Sequence, residues 1–200
     1  MDGFCNVLRN IVRTHSFLDD LVHGRKPKKC IIFCRSNSML GEVYGRLMEL
    51  TNFKYTDCRD SPFVLNHSSL LPPSIKVLAD RSSEISLYLS SNKMLLGIDL
   101  ADIDIVIFLR PYDQPSALVQ GGGRGGRKLK NGKRKLVQVY QLFNAQDIGS
   151  GFKNMSSKVR EICLSKECTR SVLKKNFVGG GNEAVNARPT HCCHNCDMNI

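Results

Sequence analysis

The chain has no tryptophan, few acids for its bases, and no continuous apolar run near the ~20 residues that a membrane-spanning helix needs. The missing run argues against a membrane-spanning protein. The opening Met1–Arg13, MDGFCNVLRNIVR, carries early charge and no apolar centre, so it does not read as a secretory leader. These two absences lead us to expect an intracellular protein, whose nine cysteines stay reduced unless a metal holds them. The shortage of acids is informative. Asp and Glu total 18 against 29 Lys and Arg, a formal charge of +11, and such a surplus favours a polyanionic partner. Nucleic acid fits better than an anionic membrane, because no basic amphipathic helix is evident. Also missing are any G-x-x-x-x-G-K-[ST] segment and any adjacent Asp-Glu pair. A chain with neither has no loop to cradle nucleotide phosphates and no acid placed for their magnesium, so by itself it is not expected to hydrolyse a nucleotide.

What remains is an ordinary globular composition, 42% hydrophobic and 24% charged over 200 residues, enough for one domain with a small appendage. Apolar residues recur at helical spacing through Phe4, Val7, Leu8, Ile11 and Val12, then Phe17, Leu18, Leu21 and Val22, which predicts one or two short helices. A basic loop with breakers, residues 23–29, leads into Cys30–Cys34, an unbroken apolar run suited to a buried parallel strand. Ser36 is placed to cap a helix over Met39–Leu50, with Leu40, Val43, Tyr44 and Leu47 on one face. Residues 51–84 show little periodicity. Further strands are expected at Ile85–Leu89, Ile103–Leu109 and Leu136–Phe143, a short helix at Pro115–Gln120, and two helical pieces within Val159–Phe177. Strands alternating with helices predict an α/β fold with a mostly parallel sheet sandwiched by helices. Cys30 and Cys34, at the ends of a strand core, read as packing residues.

The sharpest local feature is Gln120-Gly121-Gly122-Gly123-Arg124-Gly125-Gly126-Arg127. Glycines let a backbone approach a ligand closely, and arginine presents a planar, permanently charged fork that fits phosphate oxygens. Taken alone, the run is equally compatible with a flexible RNA-binding segment. Its surroundings add order. The pattern Q-x-x-G-R-x-G-R resembles motif VI of superfamily 2 helicases. Ahead of it, Ile31–Ser36 resembles motif IV, and Asn66-His67-Ser68-Ser69-Leu70 resembles the segment that follows it. Ser91–Asp99, SNKMLLGID, resembles motif V, and Pro115-Ser116 the P-x-S step. Towards the end, Cys168-Thr169-Arg170 with Leu173 and Phe177, then His191-Cys192-Cys193-His194-Asn195-Cys196-Asp197, is similar to the zinc subdomain of RecQ helicases. Departures from the family pattern are Leu95 for a Gly, Leu96 for a Met, Ser91 for a Thr and Thr169 for an Arg.

The resemblance implies a second RecA-like motor lobe over residues 1–150 and a helical zinc subdomain over 151–200. It implies a 3′–5′ DNA helicase, completed by an N-terminal motor lobe that binds ATP with Mg²⁺. In that family the second lobe sends arginines to the γ-phosphate. Arg124 and Arg127 would be the catalytic pair, with Arg127 the first choice for the finger, and Gln120 and Gly123 would border the nucleotide. Gly97 and Asp99 would couple nucleotide to DNA, while Arg35, Ser36 and Ser91 would meet the DNA backbone. The same resemblance implies a nuclear (or nucleoid) place and work in DNA repair or recombination. A non-enzymatic nucleic-acid-binding remnant or regulator is the rival reading.

Zinc also follows from the cysteines themselves. Cys193-x-x-Cys196 has chelate spacing, with Cys168 as third ligand and Cys192 as fourth. His191, His194 and Cys163 compete for that fourth place. Residues 121–135 hold seven bases and no acid. They read either as a solvated hairpin beyond the arginines or as added phosphate contacts.

Overall fold

A computed structural model describes residues 28–50, 63–66, 87–91, 103–123, 125, 137–149, 155–178, 193 and 195. The helices expected before residue 23 lie outside the described residues. The chain packs as two units. One comprises Met1–Arg110 with Val119–Leu142, the other Pro111–Leu118 with Phe143–Ile200.

Among the described residues, the first unit is built on five parallel strands: β1 (Cys30–Cys34), β2 (Phe63–Asn66), β3 (Leu87–Ser90), β4 (Ile105–Leu109) and β5 (Gln138–Leu142). Their order across the sheet is β2-β3-β1-β4-β5, with β1 central. Parallel pairing requires cover on both faces, and β1, β3 and β4 are buried along their whole length. On one face Cys30, Ile32 and Cys34 pack with Leu87, Leu89, Ile105, Ile107 and Leu109 beneath α1 (Asn37–Leu50). On the other, Phe33 and Phe108 stack at 5.2 Å between ring centroids. The helix α1 starts where its sequence directs. The Ser36 hydroxyl accepts from the Met39 amide at 3.2 Å, and Leu40 and Leu47 reach the core with Val43 and Tyr44 partly buried beside them.

Burial accounts for Cys30 and Cys34. The Cys34 thiol is pushed up to about 12, and that of Cys30 rises further, with Asp104 adding to the desolvation. Neither is a reactive thiolate or a metal ligand; both fill the core, as their places in an apolar strand imply. The same desolvation pushes the Tyr88 hydroxyl up to about 12.

The strands are tied at both ends. At the starting edge, the Asp104 carboxylate accepts from the Lys29 amide at 3.0 Å. The Asp104 and Ile105 amides donate to the Lys29 carbonyl, and the Gln138 amide donates to the Asp104 carbonyl. At the finishing edge, the Arg110 amide donates to the Leu142 carbonyl at 2.9 Å. The helix α2 (Pro115–Gly122) follows β4 and runs two residues beyond the expected Gln120. The strand β2 falls in the stretch without periodicity. Four residues carry no readable period, and among the described residues this strand pairs with β3.

The second unit holds α3 (Ala145–Ile148), α4 (Ser157–Leu164) and α5 (Thr169–Val178). The short α3, not anticipated, is fixed by a reciprocal cap: Asn144 and Asp147 each accept the other's amide through a side-chain oxygen. Ser156 caps α4, and its amide donates to the Asp113 carbonyl. Val159, Ile162 and Val172 are buried where α4 and α5 pack together. Among the described residues, no helix is long and apolar enough to cross a membrane.

Candidate functional site

The parallel sheet sorts the candidate residues to its two edges. The glycine–arginine loop belongs to the starting edge. After α2, the Gly123 amide donates to the Val119 carbonyl at 2.9 Å and the Gly125 amide to the Gly122 carbonyl at 3.2 Å. Gly125 is buried against Val137, the residue directly before β5. A Cβ on Gly125 would lie 2.3 Å and 2.8 Å from the two Val137 methyl carbons. Glycine is required here for close approach, not for a left-handed backbone. Gly122 faces Val139 of β5 with room for a Cβ, which would lie in ordinary contact at 3.7 Å. The residues either side of Arg124 are therefore both held, one by the end of α2 and one by the start of β5. Arg124 and Arg127 themselves lie outside the described residues. Gln120 is exposed on α2, and Gly123 is exposed beside it.

The finishing edge gathers other candidates. Arg35 and Ser91 directly follow β1 and β3. Ser36 spends its hydroxyl on capping α1, although its side chain remains exposed. Ser91 is buried, and its carbonyl accepts from the Ser90 hydroxyl at 2.6 Å. Gly97 and Asp99 lie outside the described residues.

In the second unit, two of the expected metal ligands meet. Cys168 and Cys193 stand 4.0 Å apart, sulfur to sulfur. Two thiolates at ~2.3 Å from one tetrahedral zinc would have a similar separation. The Thr169 amide donates to the Cys193 sulfur at 3.4 Å. Cys192, Cys196, His191 and His194 lie outside the described residues, and among those described no group of three or more His, Cys, Asp or Glu is placed to hold a metal. Cys163 is partly buried on α4. Of the expected ligands, Cys168 and Cys193 are the two that the described residues bring together.

A family model for the helicase conserved C-terminal domain matches residues 13–128, more than half of the chain. The chain belongs to this family. Similar proteins include the ATP-dependent rRNA helicase SPB4 of Scheffersomyces stipitis, 22% identical over 183 residues, covering 80% of this chain and 30% of that protein. Another is the ATP-dependent helicase Lhr-Core of Sulfolobus acidocaldarius, 27% identical over 128 residues, covering 62% of this chain and 14% of that protein. Among solved structures, the C-terminal part of the Fun30 ATPase domain superposes with a TM-score of 0.58 at 18% identity, covering 88% of this chain and 54% of that one. The helicase MrfA bound to DNA and AMPPNP superposes at 0.55 and 13% identity, covering 94% of this chain and 22% of that one. The chain therefore spans under a third of the curated relatives it matches.

As a helicase C-terminal lobe of superfamily 2, the first unit carries a RecA-like parallel sheet, as the α/β pattern predicts. Two residues make contacts that the sequence does not announce. Val137, within the expected strand Leu136–Phe143, carries no mark in the sequence that it closes on Gly125. Asn195, inside the Cys-x-x-Cys loop, donates its side-chain amide to the Ser165 carbonyl at 2.8 Å and the Glu167 carbonyl at 2.7 Å. It clasps the turn between α4 and α5 that carries Cys168; a polar residue between two cysteines was the only available hint.

Proposed function

We propose that this lobe is the nucleic-acid-translocating half of a RecQ-like, 3′–5′ DNA helicase. Its arginines reach ATP and Mg²⁺ held by a first motor lobe. The observation that carries the reading is the Q-x-x-G-R-x-G-R loop, held on both sides of Arg124 at the starting edge of a parallel sheet. Arg124 and Arg127 supply charge to the γ-phosphate, and Gln120 and Gly123 border the nucleotide. Gly97 and Asp99 link that site to the opposite edge, where Arg35, Ser36 and Ser91 meet the nucleic-acid backbone. A place in the nucleus or nucleoid, and in DNA repair or recombination, belongs to the same proposal.

A second reading is an RNA helicase lobe, favoured by the rRNA helicase among its relatives. Binding of oligothymidylate and oligouridylate to this chain at rising salt separates the two. Tighter binding of the DNA strand is the expected result. Tighter binding of the RNA strand moves the lobe to the second reading, and binding of neither removes both.

The C-terminal segment binds a structural zinc through Cys168, Cys193, Cys196 and Cys192 in this proposal, with His191, His194 and Cys163 as rivals for the last place. The 4.0 Å approach of Cys168 to Cys193 supports it. The metal ties the tail to α5 and takes no part in phosphate chemistry, so its removal costs folding free energy. Stoichiometric zinc in the purified chain is expected, and a strong chelator should lower its melting temperature and speed proteolysis near Cys168. An unchanged melt after the metal is shown to be gone would end the zinc proposal.

A further inference from the structure

The finishing edge of the sheet carries a cation that no motif singled out. Cys34 of β1 is in register with Leu109 of β4, so the next residues, Arg35 and Arg110, follow neighbouring strands at the same level. Adjacent strands lie about 4.8 Å apart. On the other side of β1, Phe33 pairs with Ser90, which sets Ser91 level with Cys34. Three successive strands are thus followed directly by Ser91, Arg35 and Arg110. The outer ends of parallel strands in such sheets are where ligands collect.

Arg110 has a second distinction. Its φ is 71°, and among the described residues no other non-glycine residue has a positive φ. The left-handed conformation is disfavoured for a side chain with a Cβ, and glycine or asparagine would adopt it more readily. The hydrogen bond from the Arg110 amide to the Leu142 carbonyl uses the backbone alone, so any residue except proline would make it. An arginine in a conformation that suits glycine better points to work for its guanidinium.

We propose that Arg110 contacts nucleic-acid phosphate, forming with Arg35 and Ser91 an anion-binding shelf along the finishing edge. The inference rests on the nucleic-acid-binding reading above. The ligand chemistry is the phosphodiester backbone, shared by DNA and RNA, so the shelf adds affinity and not base sequence.

The test uses this chain with fluorescein-labelled oligothymidylate and, separately, oligouridylate, titrated across a range of salt concentrations. Arg110→Gly is compared with the unmodified chain in binding and in thermal melting. The expected result is a melting temperature equal to or above the original, weaker binding to both oligomers, and a salt slope shallower by about 0.7, one single-stranded phosphate contact. An intact melt with an unchanged slope overturns the proposal. If Arg110→Gly melts early, Arg110→Asn, which tolerates the same backbone, is measured as well; early melting of both with an unchanged slope makes Arg110 a packing residue and also overturns it. An unmodified chain that binds neither oligomer removes the underlying reading too, a failure distinct from the other two.

Discussion

Arg127→Ala, made in a polypeptide that also carries the first motor lobe, is expected to cut nucleic-acid-stimulated ATP hydrolysis by ~10³–10⁵-fold, the range for arginine fingers in related phosphoryl transfers. The effect should fall on turnover, because charge spreads over the transferring phosphoryl group chiefly in the transition state. Binding of single-stranded DNA in the absence of nucleotide should stay near its original strength, since the loop lies at the starting edge and the proposed DNA contacts at the finishing edge. Arg127→Lys should recover little, because an ammonium lacks the planar fork. Steady-state ATPase assays with and without DNA check this. Turnover within a few-fold of the original would remove Arg127 from the catalytic role and pass the question to Arg124. The chain alone, having no phosphate-binding loop of its own, is expected to show no turnover above background.

The second large effect is structural. Gly125→Ala is expected to destabilise the first unit, because the new Cβ would stand 2.3 Å and 2.8 Å from the Val137 methyl carbons and 3.0 Å from the Val137 Cβ. Rotating the valine does not relieve the last of these, so backbone must move. Overpacking of this kind costs about 1–3 kcal/mol. For a chain of this size each kcal/mol lowers the melting temperature by roughly 2–4 °C. Val137→Ala should remove the two methyl contacts and leave only the 3.0 Å contact to the Cβ, so the double variant should melt above Gly125→Ala alone. That non-additivity is the signature of two residues in contact. A Gly125→Ala chain that melts like the original would mean that the loop does not close on β5 as described.

Several parts of this architecture were legible beforehand because they are local. The five apolar residues Cys30–Cys34 can only be a covered strand, and β1 has those bounds. Ser36 announces a helix start because its hydroxyl competes for the first free amides, and it caps α1. Longer runs such as Ile103–Leu109 were placed with slightly frayed ends: Ile103 and Asp104 precede β4, with Asp104 tying strand starts together instead. The strand β2 and the helix α3 escaped because four residues cannot display a period; one is held by its neighbour strand and the other by the Asn144–Asp147 cap.

The candidate site divides in the same way. Residue chemistry and order along the chain were enough to pick out the glycine–arginine loop, the paired cysteines and the polyanion-seeking charge, since phosphate and zinc each demand particular side chains at particular spacings. Which residues meet across long sequence separations depends on packing. That Gly125 closes on Val137, that Asn195 clasps the turn before Cys168, and that Arg110 ends level with Arg35 are decided by strand register and by turns whose hydrogen bonds join distant segments. Local pattern and side-chain type suffice to specify an α/β helicase lobe and its chemical groups. The edge of the sheet that the glycine–arginine loop or Arg110 occupies follows from folding, because direction and register exist only once the strands are paired.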